Sequence, residues 1–236
     1  MAMRKFLEPD PVYTGVGKWR IALFDALFFY GETVLFYLDN FKKEYIMYIA
    51  ITPYRTLTQA DLRHFIAIAP AIDHLIFRTP MQQEDLKRFL ERLLQAGFPK
   101  SKITVHSDME LLQKLDLRAI HFREHDERAF QFKATHSQIM VSMSTHSAAS
   151  AQAAEAHHLD YVLFGHLFST KSKPGKAPRT QAEIAAVLRI GIPVVALGGI
   201  NAETLGRVPS GFAGIAAISY FMENDLETLC SAKEAE

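Results

Sequence analysis

A histidine follows a glycine at the end of an apolar run in the segment DYVLFGH, residues Asp160–His166. An imidazole takes up and releases a proton near neutral pH, so His166 is a candidate general acid or base. Thr170, Ser172 and Lys173 follow in a loop rich in Gly, Pro, Lys and Arg, and they offer hydroxyls and a cation to an anionic substrate. The segment therefore predicts proton transfer on an anionic small molecule. A structural histidine and a solvated basic loop are the alternatives.

A second group of residues has the pattern of a phosphate site. The apolar run Pro193–Ile200 contains the adjacent pair Gly198 and Gly199, and the next apolar run ends in the hydroxyl of Ser219. Glycines let the backbone approach a ligand, and N–H groups near a helix start can hold a phosphate. Two neighbouring loops thus favour phosphate binding, with a glycine pair needed only for a tight turn as the alternative.

The elements that must position these residues begin near residue 46, where apolar runs of strand length alternate with amphipathic segments of helix length. Continuous Val, Ile and Leu runs are typical of strands buried on both faces, as in a parallel sheet covered by helices. The predicted strands are Ile46–Ile51, Ile72–Phe77, Lys102–Val105, Arg118–Phe122, Gln138–Met143, Tyr161–Phe164, Pro193–Leu197 and Gly214–Ile218. The predicted helices are Leu57–Ala69, Glu84–Ala96, Met109–Leu115, Ala148–His157, Gln181–Ile190 and Ala202–Val208.

Eight strands in about 190 residues predict an α/β fold, a (β/α)8 TIM barrel over residues 46–236. An open doubly wound sheet is the alternative, but it usually has five or six strands. In a barrel the chemistry lies at the carboxyl ends of the strands, where Arg78, Ser144 and His146 are also found. The pattern H-x-x-E-H at residues 121–125 resembles a zinc-peptidase motif, but its first histidine lies in a predicted strand rather than on a helix. We therefore predict no metal site there.

The composition excludes several classes of function. The chain has 26 Lys and Arg against 26 Asp and Glu, so it lacks the positive charge that attracts nucleic acid, and we expect no nucleic-acid partner. Its single cysteine, Cys230, excludes an intramolecular disulfide and a cysteine-based zinc cluster. A reducing, cytoplasmic compartment is therefore expected.

Residues 1–45 lie outside the alternating pattern and are predicted to be an N-terminal extension. The segment Trp19–Phe41 is apolar, yet Asp25, Glu32 and Asp39 recur at a spacing that places them on one helix face. Acidic residues in mid-span are unusual in a transmembrane helix, so no stable membrane span is expected. An amphipathic or non-native extension is favoured, with a membrane-associated helix as the alternative.

Four segments in this order resemble the thiamine-phosphate synthase/TenI superfamily, and the resemblance extends over roughly residues 46–230. These segments are SMSTHS (Ser142–Ser147), DYVLFGHLFSTKSK (Asp160–Lys173), IPVVALGGI (Ile192–Ile200) and GIAAIS (Gly214–Ser219). Weaker similarity covers IFR (Ile76–Arg78) and AIHFREHD (Ala119–Asp126). The resemblance implies a (β/α)8 barrel that binds the small-molecule thiazole phosphate of thiamine biosynthesis.

The two branches of this superfamily differ in chemistry. Synthases join a pyrimidine pyrophosphate to the thiazole phosphate with magnesium, and they typically carry Arg-Glu-Lys after strand two and Asn-Asp after strand three. Here Arg78 is followed by Thr79-Pro80, and the Asn-Asp position has His106-Ser107. The sequence from Gly165 to Phe168 instead resembles the TenI tautomerase loop, whose histidine is the acid/base group.

The resemblance thus implies a thiazole tautomerase that works without metal or organic cofactor. It would convert the ylidene tautomer of 2-carboxy-4-methylthiazole ethyl phosphate to the aromatic form through His166. Arg78 or Lys173 would pair with the carboxylate. Ser144, His146, Thr170 and Ser172 are the other substrate-binding candidates near the barrel opening, and the phosphate-binding candidates are Gly199, Ile218 and Ser219. Thiamine-phosphate synthase and a non-catalytic regulator with a phosphate pocket remain alternatives, and homodimer formation is left open.

Overall fold

The computed structural model of the protein describes residues 47–170 and 175–235. Eight parallel strands form a closed barrel in chain order, and β8 pairs with β1. The strands are β1 (Met47–Ile51), β2 (His74–Phe77), β3 (Ile103–His106), β4 (Ala119–Phe122), β5 (Met140–Thr145), β6 (Tyr161–Gly165), β7 (Val194–Leu197) and β8 (Gly214–Ala217). This closure confirms the predicted TIM barrel and excludes the open sheet.

Helices connect most of the strands on the outside of the barrel. They are α1 (Gln59–Ile68), α2 (Gln83–Gln95), α3 (Met109–Lys114), α4 (Arg128–Thr135), α5 (Ala148–Ala156), α6 (Gln181–Val187), α7 (Ser219–Glu223) and α8 (Leu226–Ala235). Short 3-10 turns occur at Ala69–Ala71, Lys100–Lys102 and Leu205–Arg207.

The prediction of a helix over Ala202–Val208 is wrong. Only a 3-10 turn forms there, at Leu205–Arg207. The side-chain oxygen of Asn201 accepts hydrogen bonds from the backbone N–H groups of Glu203 and Thr204. These local bonds compete with the regular helical ladder. Three observed helices, α4, α7 and α8, were not predicted, because their apolar residues are few or follow a strand without a break.

The core has two layers because successive strand residues face opposite sides of the sheet. The outer layer packs the strands against the helices, with Phe65, Phe77 and Phe89 in mutual ring contact. A smaller cluster fills the barrel interior and consists of Met47, Ile49, Ile51, Ile76, Tyr161, Leu163, Val195 and Ala216. The interior also holds buried polar side chains from β3, β4 and β5, namely Thr104, His121 and Ser142.

Two aspartates preceding strands fix the amino-terminal end of the barrel. Asp73 accepts a hydrogen bond from the N–H of Tyr48 at 2.8 Å, and Asp160 accepts one from the N–H of Val141 at 2.7 Å. The ammonium of Lys133, itself buried, lies 2.7 Å from the Asp160 carboxylate. These bonds tie β1 and β5 to the segments leading into β2 and β6. This end of the barrel is thus structural, which leaves the carboxyl ends of the strands for chemistry.

The predicted N-terminal extension, including the apolar segment Trp19–Phe41, lies outside the described residues. Among residues 47–170 and 175–235, no helix has the length and apolar character needed to cross a membrane.

Candidate active site

His166 lies immediately after β6, at the open end of the barrel where the carboxyl ends of the strands meet; we call this end the mouth. The side chain is only 3% exposed. It packs against the backbone of Gly198 after β7, where an added Cβ would lie 2.3 Å from the Cβ of His166. The absence of a side chain at Gly198 is therefore what makes room for His166.

The two ring nitrogens of His166 differ in their surroundings. Nε2 lies 3.2 Å from the backbone carbonyl oxygen of Lys176, which can only accept a hydrogen bond. Nδ1 is buried and has no hydrogen-bond partner among residues 47–170 and 175–235. In a neutral ring, the proton is therefore on Nε2 and Nδ1 carries a free lone pair.

The loop after β6 is held to the end of β7 by backbone bonds. The N–H groups of Leu167 and Phe168 donate to the carbonyls of Leu197 and Gly198, each at 3.0 Å. The returning end of the loop bonds back to His166, whose carbonyl accepts from the N–H of Arg179 at 2.9 Å. The backbone at His166 is thus held both to the end of β7 and to the returning end of its own loop.

Three of the predicted substrate-binding residues belong to this loop. Thr170 is half-buried near the beginning of the loop. Ser172 and Lys173 lie outside the described residues, so their proposed contacts to an anion stay predictions.

The predicted phosphate residues lie at the ends of β7 and β8, which are hydrogen-bonded neighbours. Gly199 has a positive φ of 71°, and an added Cβ would lie 2.6 Å from the carbonyl oxygens of Phe168 and Ser169. Glycine is thus required there by the adjoining β6 loop. Ile218 packs against the interior cluster, and the exposed Ser219 is the first residue of α7.

Arg78 lies at the end of β2, on the other side of the mouth. Its guanidinium lies over the ring of Tyr54, 4.7 Å from the ring centre. The side chain is exposed, yet its charge acts on two histidines of the barrel, His106 and His121. Arg78 thus places a cation at the mouth, and its predicted contact with a substrate carboxylate stays a prediction.

Ser144 on β5 takes part in a buried network. Its hydroxyl lies 2.8 Å from Nε2 of His121 on β4, and the hydroxyl of Ser142 lies 2.8 Å from Nδ1 of the same ring. Burial, reinforced by the nearby charges of His106 and Arg78, lowers the pKa of His121 to about 3, so this ring is neutral at physiological pH. The pKa of His106 is lowered to about 4, first by burial and then by Arg123 and Arg78.

His146 is held by a carboxylate. Glu124 accepts a hydrogen bond from the backbone N–H of His146 at 2.6 Å and also contacts its ring Nδ1. Burial would raise the pKa of Glu124, but these bonds outweigh it and the pKa is lowered. His146 is thus anchored to the loop after β4.

A family model described as thiamine monophosphate synthase (TMP-TENI) matches residues 50–221, nearly the whole barrel. The chain belongs to this family. The predicted superfamily relationship is therefore confirmed.

Curated relatives bear the name thiamine-phosphate synthase. One from Chlorobium phaeobacteroides is 48% identical over 86 residues, which cover 34% of this chain and 42% of the relative. One from Geobacillus kaustophilus is 33% identical over 144 residues, covering 58% of this chain and 63% of the relative. The chain thus matches less than two thirds of either relative.

Solved structures show the same fold at lower identity. Thiamine phosphate pyrophosphorylase from Pyrococcus furiosus superposes with a TM-score of 0.65 at 19% identity, covering 81% of this chain and 97% of that one. 3-Hexulose-6-phosphate synthase superposes with a TM-score of 0.59 at 17% identity, covering 80% and 98% of the two chains. Both similarities support the barrel.

In this member of the thiamine monophosphate synthase family, the side chains at the ends of β3 and β4 are not arranged as metal ligands. Ser107 has no carboxylate, and its buried hydroxyl has no hydrogen-bond partner among the described residues. Asp108 caps α3 by accepting from the N–H of Leu111, and both oxygens of Asp126 bind Arg128. Within the described part of the chain, no three His, Cys, Asp or Glu side chains are grouped so that they could hold a metal ion.

The rejected H-x-x-E-H motif has no metal-binding geometry in this barrel. His121 is buried in β4, whereas His125 follows the strand, has a positive φ of 65° and a side chain that is 83% exposed. The two rings therefore do not share a helix face.

Sequence reasoning assigned no role in the site to three residues that shape it: His121, Glu124 and Lys176. His121 could have been found from the alternation in Ile120-His121-Phe122, which places it on the interior face with Ser142 and Ser144. Glu124 and Lys176 act through pairings between loops, and nothing in the local sequence indicates these pairings.

Proposed function

We propose that this protein is a thiazole tautomerase, which converts the ylidene tautomer of 2-carboxy-4-methylthiazole ethyl phosphate to the aromatic thiazole. The observation that carries the proposal is the state of His166. Its ring is buried, its Nε2 is held by the Lys176 carbonyl, and its Nδ1 has no partner in the part of the chain that the structure describes. A buried lone pair at the mouth of the barrel that no described residue engages is suited to a general base.

The reaction needs one group that can take a proton and return it. Nδ1 of His166 removes the proton from ring carbon C2, and the electron pair of that C–H bond moves into the ring. That pair forms a double bond from C2 to the ring nitrogen, the former C=N pair forms a ring C=C bond, and the pair of the exocyclic double bond moves to its outer carbon. This carbon takes up a proton from the imidazolium, which returns to the neutral form. The product is aromatic, and this drives the reaction forward. The bond from Nε2 to Lys176 keeps the same nitrogen available throughout.

The substrate carries an anionic group at each end, and both must be held. We place the carboxylate near the Arg78 guanidinium and the phosphate at the ends of β7 and β8, near Gly199, Ile218 and Ser219. Binding of both anionic groups fixes the thiazole ring against His166, and such positioning raises the rate of the proton transfer. Thr170, Ser172 and Lys173 would close the site from the β6 loop.

The test is incubation of the purified protein with the ylidene tautomer in deuterated water. We expect conversion to the aromatic thiazole with solvent deuterium at the exocyclic carbon, at a rate that a chelator does not change. Binding of the aromatic product without any conversion would contradict the proposal and favour a non-catalytic regulator. His157→Gln is a suitable control, because that ring stacks on Phe130 outside the barrel.

Thiamine-phosphate synthase is the second candidate, and the names of the curated relatives favour it. That reaction requires magnesium, for which carboxylates are the preferred ligands. The residues at the ends of β3 and β4 do not fit the ion, since Ser107 stands at a carboxylate position, Asp108 caps a helix and Asp126 is bound by Arg128. Product formed only with pyrimidine pyrophosphate and Mg²⁺, and lost with EDTA, would establish the synthase and overturn the tautomerase.

The proposed substrate is a soluble phosphorylated metabolite. With the neutral net charge and single cysteine of the chain, this supports a cytoplasmic enzyme.

A further inference from the structure

Tyr54, in the segment between β1 and α1, presents a large aromatic ring to solvent. It is 59% exposed. A single exposed apolar residue needs no explanation by itself. Tyr54 differs from such a residue because a cation lies over its ring: Cζ of Arg78 is 4.7 Å from the ring centre. The ring therefore lies beside the cation that the proposed function assigns to the substrate carboxylate.

Hydrogen bonds between the ends of β1 and β2 place these two residues side by side. The hydroxyl of Thr52, which is fully buried, accepts from the N–H of Arg78 at 2.9 Å and donates to the Arg78 carbonyl at 3.0 Å. On the other side of Tyr54, the carbonyl of Arg55 accepts from the hydroxyl of Thr79 at 2.8 Å. The chain on both sides of Tyr54 is thus bonded to the segment that carries Arg78.

The backbone at Tyr54 is held in a tight turn. The N–H of Arg55 donates to the carbonyl of Pro53 at 2.9 Å, which makes Tyr54 the central residue of a three-residue turn. Proline restricts the backbone further because its ring fixes φ. The tyrosine ring therefore has a fixed base, and its position does not depend on its contact with Arg78.

The charge of Arg78 acts over the mouth. Burial is the main cause of the lowered pKa of His106 and of His121, and the charge of Arg78 adds to the lowering in both rings. The neighbouring cation, Arg55, is bound by both oxygens of Asp61. Among the described residues, no carboxylate forms an ion pair with Arg78. Its guanidinium is therefore held by an aromatic ring where that of Arg55 is held by a carboxylate.

We propose that Tyr54 is a positioning residue, which holds the guanidinium of Arg78 over its ring and thereby prepares it to bind an anion with two acceptor oxygens. A guanidinium stacks through its flat face and donates hydrogen bonds from its edge, so both contacts can exist at once. An arginine that is already ordered loses less rotamer freedom when a ligand binds. The stacked Arg78 thus binds the anion more tightly than an unstacked one.

The ligand chemistry rests on the proposed function, in which the two oxygens belong to the carboxylate on C2 of the thiazole. Arginine and a carboxylate form two parallel hydrogen bonds, which require the guanidinium in a defined orientation. The stacking of Arg78 on Tyr54 does not depend on that function and can be tested without a ligand.

The first experiment measures the stacking by NMR. Protons next to the guanidinium of Arg78 are shifted by the ring current of Tyr54, and Arg78→Lys assigns their signals. We expect the shift to be kept in Tyr54→Phe and lost in Tyr54→Leu. Arg92, whose Cζ lies 5.9 Å from the ring centre of Phe89, is the control, and its signals should not change in either variant. Arg78 signals that are the same in Tyr54→Leu as in wild type would overturn the proposal.

The second experiment measures the affinity for the aromatic thiazole phosphate with and without its carboxylate. Tyr54→Leu should weaken binding of the carboxylated ligand about threefold to fivefold, the effect of an exposed cation–π contact, and change binding of the other ligand less than about 1.5-fold. Tyr54→Phe keeps the aromatic face and should retain the wild-type affinity for both. Equal losses for both ligands in Tyr54→Leu would overturn the selective role.

A double-mutant comparison shows whether Tyr54 acts through Arg78. In an Arg78→Ala protein, Tyr54→Leu should cause no further loss of affinity for the carboxylated ligand. A further loss of threefold or more would show that the ring contacts the ligand itself and would overturn the positioning role. Failure of the wild-type protein to bind either ligand would contradict the proposed function, while the Arg78 spectra still decide whether Tyr54 holds the guanidinium.

Discussion

Gly198 and His166 are in direct backbone-to-side-chain contact across the ends of β7 and β6. An added Cβ at Gly198 would lie 2.3 Å from His166 Cβ and 2.7 Å from its Cα. The position of the proposed base therefore depends on a residue of the neighbouring strand end.

Gly198→Ala should displace His166 and lower kcat at least tenfold. A contact of this length cannot be relieved by a flexible side-chain tip, because it involves the Cα and Cβ atoms of His166. The substitution also places a side chain at a φ of 97°, which costs stability on its own, about 1 kcal/mol.

Gly97→Ala is the matched control for that strain. Gly97 has a φ of 95° and no atom within 4 Å of an added Cβ. We expect it to lower stability by a similar amount while kcat stays within twofold of wild type. Equal kcat values for the two variants, measured below their unfolding temperatures, would show that the contact with His166 does not matter.

Ser219→Ala should weaken the binding of the thiazole phosphate about threefold to tenfold, because one hydrogen bond to the phosphate is lost. The exposed hydroxyl of Ser219 makes this a mild substitution for the fold. Titration calorimetry measures the change, and Ser210→Ala, an exposed serine in the turn before β8, serves as the control. Unchanged affinity in Ser219→Ala would place the phosphate elsewhere.

Asp61 makes the stability of helix α1 sensitive to acid. It is bound by Arg55 through both oxygens at 2.7 Å and also accepts from Thr58, and the Arg55 bonds chiefly lower its pKa from 3.8 to about 2. A carboxyl group whose pKa is lower in the folded than in the unfolded protein stabilises the fold at pH values above the unfolded pKa. This stabilisation is lost as the pH falls through the folded pKa. This stabilisation of the folded protein is about 1–2 kcal/mol above pH 5. It is smaller than the pKa difference alone would give, because Arg55 is half exposed and solvent screens its charge.

Urea unfolding of wild type and Asp61→Asn at pH 5.5 and pH 3 tests this dependence. The difference in the free energy of unfolding should be roughly halved at the lower pH, because at pH 3 the carboxyl is mostly protonated in the unfolded chain but still mostly ionised in the folded protein. A difference that is equal at both pH values would show that the Asp61 charge does not contribute. Asp85→Asn, an exposed carboxylate at the start of α2, is the control.

The strands could be predicted from the sequence because buried parallel strands have continuous apolar runs. Each predicted strand overlaps the observed one, with ends that differ by at most two residues. The β5 prediction begins two residues early, since Ser137 and Ile139 belong to a turn whose carbonyls bind Lys133. The helix α4 was missed because its apolar face is narrow, with Ala129 and Phe132 as its buried apolar residues.

Only those site residues whose position depends on the end of a strand could be predicted from the sequence. His166, Arg78, Ser144 and Ser219 follow or end strands, so the barrel topology brings them to one mouth. The protonation of His166 and the partners of Ser144 could not be predicted, because they depend on Lys176 and His121. Lys176 meets His166 because the loop after β6 returns to the strand end, and His121 meets Ser144 because of the register of β4 against β5. Neither contact has a signal in the local sequence.

The most direct test of the proposed function is kcat of His166→Gln with the ylidene tautomer as substrate, beside the dissociation constant of the aromatic product. Glutamine keeps hydrogen bonding but cannot transfer a proton at neutral pH, so kcat should fall by about 10²–10⁴-fold. The product should still bind within about threefold of wild type, because the phosphate and carboxylate contacts remain. A His166→Gln enzyme that turns over within threefold of wild type would remove His166 from the chemistry and contradict the account.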